Sequence, residues 1–238
     1  MGAVVINDLD PGPALDRVFA LAADRNLDLD FHADETDNPN SNALEAIAEA
    51  TIRFAWQGRV TAGHCCSLAC RPSDAAERTI ARVAAAGVAV VSLPMCNMYL
   101  QDRTEPGRTP RWRGVTLLHE LSAAGVPVAV GSDNTRDPFY AYGDLDPIEV
   151  FAQAVRIAQL DSPLGGWARA ITATPAGIMK TNVSGLLGQG RNADLILFRA
   201  RSWSELLSRP SGPRLVIRGD RPVTDPLPDY RELDTLRR

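Results

Sequence analysis

A chain of 238 residues with 45% hydrophobic and 23% charged side chains can bury one large core, and an α/β barrel of this length is common as a single domain. Its formal net charge of -4 gives no basic field for nucleic acid or an anionic membrane surface. No apolar run approaches the roughly 20 residues that span a bilayer.

The N-terminus, MGAVVINDLDPG, lacks the basic and long apolar regions of a secretory signal. Ile6 stands where a myristoylation signal needs Ser or Thr. Cys65, Cys66, Cys70 and Cys96 cluster, two of them adjacent, which fits a reducing cytoplasm better than a secreted disulfide framework.

Short β-rich runs then alternate with amphipathic stretches. AVVI (3–6) precedes ALDRVFALAADR, where Leu15, Val18, Phe19 and Ala22 share a helical face. LDLDFH (27–32) precedes NALEAIAEATIRFA, with Leu44, Ile47 and Ile52 as the expected buried stripe. RVTAGH (59–64) precedes SDAAERTIARVAAAG, expected to start at a Ser73 cap and end at Gly87. VAVVSL (88–93), a helix TLLHELSAAG ending at Gly125, and VPVAVGSD (126–133) complete five strands. Right-handed βαβ units of this kind build a parallel sheet. DPIEVFAQAVRIAQL follows as a helix with Asp146 as cap and Pro147 first, and GGWARAITATPAGIMK as one or two more. β patterns return in ADLILFRA (193–200) and PRLVIRG (213–219), before a Pro- and charge-rich tail. The expected domains are 1–190 and 191–238.

The polar residues gather at one kind of place. His32 and Glu35 follow the second strand, His64 ends the third, and Asp133 and Asn134 end the fifth. Residues at the carboxyl ends of parallel strands face a common site. Two imidazoles and a carboxylate are ordinary ligands for zinc or ferrous iron, and Glu35 beside them is a candidate general acid or base. Plainer readings stay open: strand-end histidines can be hydrogen-bonded structural residues, and GSDN can be a tight turn or helix cap. His119 is expected mid-helix, as a structural or exposed residue. HCCSLAC lacks paired C-x-x-C spacing, so its cysteines read as buried small residues before a zinc site. RTEPGRTPRWRG reads as a solvated loop before a phosphate site.

HADE, then TAGH about 30 residues on, then VGSDN resembles the amidohydrolase superfamily, in its cytosine deaminase-like branch. The stretches ETDNPNSNALEAIAEAT, NMYLQDRTEPGRTPRWRGVTLLHELSAAGVPVAVGSDN and GQGRNADLILF are similar to that branch as well. The resemblance implies part of a (β/α)8 TIM-type barrel, about strands four to eight with Ala3 to Asn7 as strand four, plus the C-terminal part of a small β-sandwich. It implies hydrolysis of a C–N bond in a cyclic amidine, with release of ammonia. His32 and Asp133 are then metal ligands, Glu35 protonates a ring nitrogen, His64 contacts the attacking water, and Asp133 also carries a proton. Asn134 and Phe139 stand at substrate-binding positions where cytosine-selective members have aspartate and tryptophan, which argues against cytosine itself.

The strand-one HxH of that family does not occur in this sequence. The cofactor implied is one divalent ion, zinc or iron, with two of its ligands elsewhere. The partners implied are a small cyclic amidine or pyrimidine, and either a second copy or a complementary N-terminal chain covering the open sheet edge. A second reading is a truncated or complementing non-catalytic subunit that is inactive alone; a third is a metal-free binding or vestigial protein. The zinc deaminases with H-x-E and P-C-x-x-C are excluded, because that pattern is absent.

Overall fold

The computed structural model describes residues 1–5, 10–103, 106–183 and 185–236, which form two compact units, Met1–Gly185 and Leu186–Arg238. The first unit holds five parallel strands: β1 (Gly2–Val4), β2 (Leu29–Ala33), β3 (Val60–His64), β4 (Ala89–Ser92) and β5 (Val128–Val130). They pair in chain order, β1-β2-β3-β4-β5. With right-handed crossovers, sequential order keeps every connecting helix on one face, as in the wall of an α/β barrel rather than a doubly wound sheet. The helices α1 (Gly12–Arg25), α2 (Ala43–Arg53), α3 (Ser73–Ala85) and α5 (Leu118–Ala123) contact one another in that order; α4 (Pro94–Leu100) lies between α3 and α5 in the chain. The expected first strand reached Ile6, and its assignment as strand four reached Asn7; both residues lie outside the described ones.

Burial in β2 alternates. Leu29, Phe31 and Ala33 are buried toward the helices, and Asp30 and His32 are exposed on the opposite face. Phe31 stacks on Phe19 of α1 with ring centroids 5.9 Å apart, and Phe19 stacks on Phe54 at 5.3 Å. This aromatic row joins α1, β2 and the end of α2.

Two local expectations are corrected. Ile52 is 47% exposed, and Thr51 takes the buried position. Five residues past Ile47 is about 140° around a helix, off the stripe, whereas four residues is nearly in line. Thr51 is satisfied there because its Oγ1 donates to the Ile47 carbonyl at 2.7 Å. Ser73 is the first helical residue of α3, and the cap position belongs to Pro72, whose extended backbone (ψ 143) leads the chain in without a side-chain bond. The glycine stops appear as expected, with Gly87 at φ +60 and Gly125 at φ +81 just past their helices.

After β5 come α6 (Pro147–Ala158), a 3-10 turn (Trp167–Ile171) and α7 (Ala173–Ile178), all packed on β5. Asp146 caps α6, its Oδ1 accepting from the Ile148 N–H at 3.0 Å with Pro147 at the first position. Asp146→Ala should lower stability by about 0.5–2 kcal/mol. Urea unfolding checks this, and an unchanged midpoint would contradict the cap. The second unit contains an antiparallel sheet, β6 (Leu195–Phe198), β7 (Arg214–Arg218) and β8 (Arg221–Pro222), with a short helix α8 (Trp203–Ser208) between β6 and β7. Among the described residues no helix is long and apolar enough to cross a membrane.

Candidate active site

Three strand ends supply the site, each by a different local device. In β2, plain alternation sets His32 on the face away from the helices. The chain then turns at Asp34, a left-handed residue at φ +54, so that Glu35 follows His32 into the same cleft. Asp34 is 2% exposed. Its Oδ1 accepts from the Ser41 hydroxyl and from the Ala43 N–H at 2.9 Å, and its Oδ2 accepts from the Leu44 N–H at 3.1 Å. A carboxylate is thus clamped on the first turn of α2, where orphan N–H groups and the helix dipole favour negative charge.

In β3, alternation would send His64 to the helix side with Val60 and Ala62. His64 has φ +68 and Cys65 φ +50, and this left-handed pair ends the alternation. Thr116 holds the turn: its Oγ1 donates to the His64 carbonyl at 2.7 Å and accepts from the Ser92 hydroxyl at 3.0 Å. β5 ends at Val130, so Asp133 lies three residues beyond the strand instead of at its end. The Gly131 N–H still bonds to the Ser92 carbonyl at 3.0 Å; the chain then leaves the ladder, and Asp133 adopts φ +60.

His64 is the centre of the cluster. Its Nε2 lies 2.9 Å from His32 Nδ1 and 3.9 Å from Asp133 Oδ2. Its Nδ1 lies 2.8 Å from Asn97 Oδ1 and 3.5 Å from Glu35 Oε1. Donor atoms of His32, Glu35 and His64 all fall within 4.8 Å of one another. Gln101 Nε2 reaches Glu35 Oε1 at 3.4 Å. Burial raises the Glu35 carboxyl above its ordinary range, opposed by the His64 ring and reinforced by the Asp133 charge.

His32, Glu35, His64, Asp133, Asn134 and Phe139 line one cleft of about 530 Å3. Asn134 is engaged at both ends of its amide: its Oδ1 accepts from the Cys96 thiol at 3.3 Å, and its Nδ2 donates to Asp137 Oδ2 at 2.7 Å. Phe139 is 59% exposed on a loop pinned by Asp137, whose Oδ1 accepts from the Phe139 and Tyr140 N–H groups at 2.9 Å each. Four residues around the site were missed by sequence reasoning: Asn97, Thr116, Gln101 and Asp34 as a clamp. Only Asp34 had a signal, an acid just before an Asn-rich helix start.

The other polar candidates lie elsewhere. His119 sits in the first turn of α5, not mid-helix, with Nε2 3.0 Å from the Ala158 carbonyl and its ring edge-on to Trp167. Cys65 and Cys66 are buried with their thiols on backbone carbonyls, and burial pushes Cys66 up to about 12. In the arginine-rich loop Arg108 is paired to Asp102, which also accepts from the Arg111 and Trp112 N–H groups; Thr104 and Glu105 there lie outside the described residues.

Known proteins are similar to this chain in sequence and fold. A pterin deaminase of Rhizobium rhizogenes is 57% identical over 236 residues, covering 99% of this chain and 54% of that protein. The 5-methylcytosine deaminase of Klebsiella pneumoniae, solved with 5-fluorocytosine, superposes with a TM-score of 0.83 at 24% identity over 96% of this chain and 56% of that one. N-isopropylammelide isopropylaminohydrolase of Burkholderia multivorans gives 0.76 at 26% identity, over 93% and 54%. The chain spans about half the length of the curated relatives it matches. The sequence profile described as the Amidohydrolase family matches residues 6–224, and the chain belongs to that family.

Proposed function

We propose that this chain carries the acid–base face of a metal-dependent aminohydrolase, one that removes an amino group from a ring amidine as ammonia. The observation that carries this is the cleft itself, which gathers His32, Glu35, His64 and Asp133 from three strand ends. The 2-amino group of a pterin is the first candidate substrate, because the pterin deaminase relative is 57% identical over nearly the whole chain. Cytosine is disfavoured by Asn134 and Phe139 in place of aspartate and tryptophan. Phe139, 59% exposed at the cleft, offers a flat wall for a fused ring.

The donor set suits a divalent ion, since imidazole nitrogen and carboxylate oxygen are the ordinary ligands of zinc and ferrous iron. His32 and Asp133 would hold it. When bound, such an ion lowers the pKa of water toward neutrality and so supplies a nucleophile. Asp133 takes a proton from the water as its oxygen attacks the amidine carbon. His64 acts through His32, its Nε2 lying 2.9 Å from His32 Nδ1 and so holding that ring in place beside the oxygen. Glu35, biased toward its protonated form by burial, protonates the adjacent ring nitrogen. Asp133 then passes its proton to the amino group, ammonia leaves, and the new hydroxyl returns a proton to Glu35 as it becomes a ring carbonyl. Both carboxylates end as they began.

Two ligands are fewer than a catalytic ion needs, and the inner face of β2 is exposed. These two observations favour a second element of the reading: a complementary segment completes the metal's ligands and covers the sheet. The isolated chain should therefore hold zinc or iron weakly and in less than equimolar amount. Ammonia release from pterin should appear only with the complementary segment present, and should be lost on chelation. One tightly held ion per isolated chain would sink the two-ligand account; absence of metal-dependent ammonia release from pterin and from other ring amidines in the completed assembly would sink the activity.

A further inference from the structure

We infer that Asn97 is a positioning residue that fixes the tautomers of both site histidines through one hydrogen-bonded relay, Gly114–Asn97–His64–His32. The relay is anchored at a backbone carbonyl, that of Gly114. Asn97 is fully buried on α4, and its Nδ2 donates to the Gly114 carbonyl at 3.1 Å. A carbonyl can only accept, so the amide has its NH2 toward Gly114 and its Oδ1 toward His64. Asn97 Oδ1 lies 2.8 Å from His64 Nδ1, so that ring nitrogen must carry the hydrogen. The other group near Nδ1, Glu35 Oε1 at 3.5 Å, is also an acceptor and agrees with this.

A neutral imidazole with Nδ1–H has a lone pair on Nε2. His64 Nε2 lies 2.9 Å from His32 Nδ1, so His32 must donate there. His32 is left with its lone pair on Nε2, the form an imidazole needs to bind a cation. Backbone geometry holds the far end of the relay. Gly114 has φ +63, and a Cβ there would lie 2.6 Å from Gln101 Cγ, so the carbonyl that orients Asn97 depends on a glycine. Asn97 does not line the cleft, and it acts only through His64. The inference rests on the proposed aminohydrolase site only in taking His32 as a ligand; the tautomers can be read without metal or substrate.

The chain has three histidines, which makes the test compact. Long-range 1H–15N spectra of the labelled, metal-free chain at about pH 8, well above the ordinary imidazole pKa of ~6.5, report each tautomer directly. His64 and His32 should both show a protonated Nδ1 and an unprotonated Nε2. His119 should show the opposite form, because its Nε2 faces the Ala158 carbonyl, and it serves as an internal reference. Asn97→Leu should shift His64 and His32 toward Nε2–H and leave His119 unchanged. Asn97→Asp, which keeps an acceptor at Oδ1, should retain the wild-type signals of His64. A protonated Nε2 on His64 in the wild-type chain would overturn the relay, whether or not any variant folds. So would wild-type tautomers persisting in Asn97→Leu, or a larger shift in Glu35→Gln than in Asn97→Leu. Failure of pterin hydrolysis with these tautomers in place would count against the proposed function alone.

Discussion

Glu35→Gln should reduce metal-dependent ammonia release about 10²–10⁴-fold, the range that general acid–base groups contribute. The substitution keeps the size and hydrogen-bonding reach of the side chain but removes its exchangeable carboxyl proton. Burial raises the Glu35 carboxyl, so the group that would donate to a ring nitrogen is held closer to its protonated form than an exposed glutamate. An amide there can still orient a ring but cannot deliver a proton and take one back. Asp133→Asn should be at least as damaging, because in the proposed mechanism Asp133 is both a metal ligand and a proton carrier. His119→Ala should leave turnover nearly intact, since that ring packs on Trp167 and the Ala158 carbonyl, outside the cleft. The measurement is the initial rate of ammonia release by the assembly with its complementary segment, for all three variants and the parent. Full activity in Glu35→Gln together with loss in His119→Ala would put the site somewhere other than HADE.

How far the site could be read beforehand differs from residue to residue, and the differences are physical. His32 was legible because a strand's period of two leaves no choice: if Phe31 packs on α1, its neighbour faces the other way. The five parallel strands were legible because apolar runs alternated with helical stripes, two of which, α3 and α5, stop at a glycine. His64 and Asp133 were legible as residue types in an ordered set of motifs, but not in their geometry. His64 reaches His32 through a left-handed backbone that alternation argues against, and that backbone is tied by Thr116, 52 positions away. Asn97 sits 33 positions from His64 in a stretch with no polar pattern of its own. Partners so distant leave no local trace. Ser73 and Ile52 failed for a smaller reason: residue identity suggested a cap and a stripe, but one position of helix phase decides both.

Asp34→Ala should destabilise the chain by roughly 3 kcal/mol, within reach of hydrogen bonds to a charged acceptor at about 1.5–3 kcal/mol each. Three donors converge on this carboxylate: the Ser41 hydroxyl, the Ala43 N–H and the Leu44 N–H. The sum of three such bonds exceeds the expected loss, because removing the side chain also relieves the cost of burying a charge. The backbone adds to the penalty. Asp34 sits at φ +54, a conformation that aspartate and asparagine tolerate better than alanine. Asp34→Asn should accordingly cost less than Asp34→Ala, since it keeps one acceptor and the left-handed preference. The consequence extends to the cleft. Asp34 lies between His32 and Glu35, and its own carbonyl accepts from the Ser67 N–H, so the clamp joins the end of β2 to α2 and to the turn after β3. Loosening it should blur the 2.9 Å approach of His32 to His64 as well as lower the urea midpoint. Urea unfolding of the parent and both variants, with the histidine ring signals followed in the folded baseline, checks both effects. A parent-like midpoint for Asp34→Ala, or a lower midpoint for Asp34→Asn than for Asp34→Ala, would show that the carboxylate is not what holds the HADE turn to its helix.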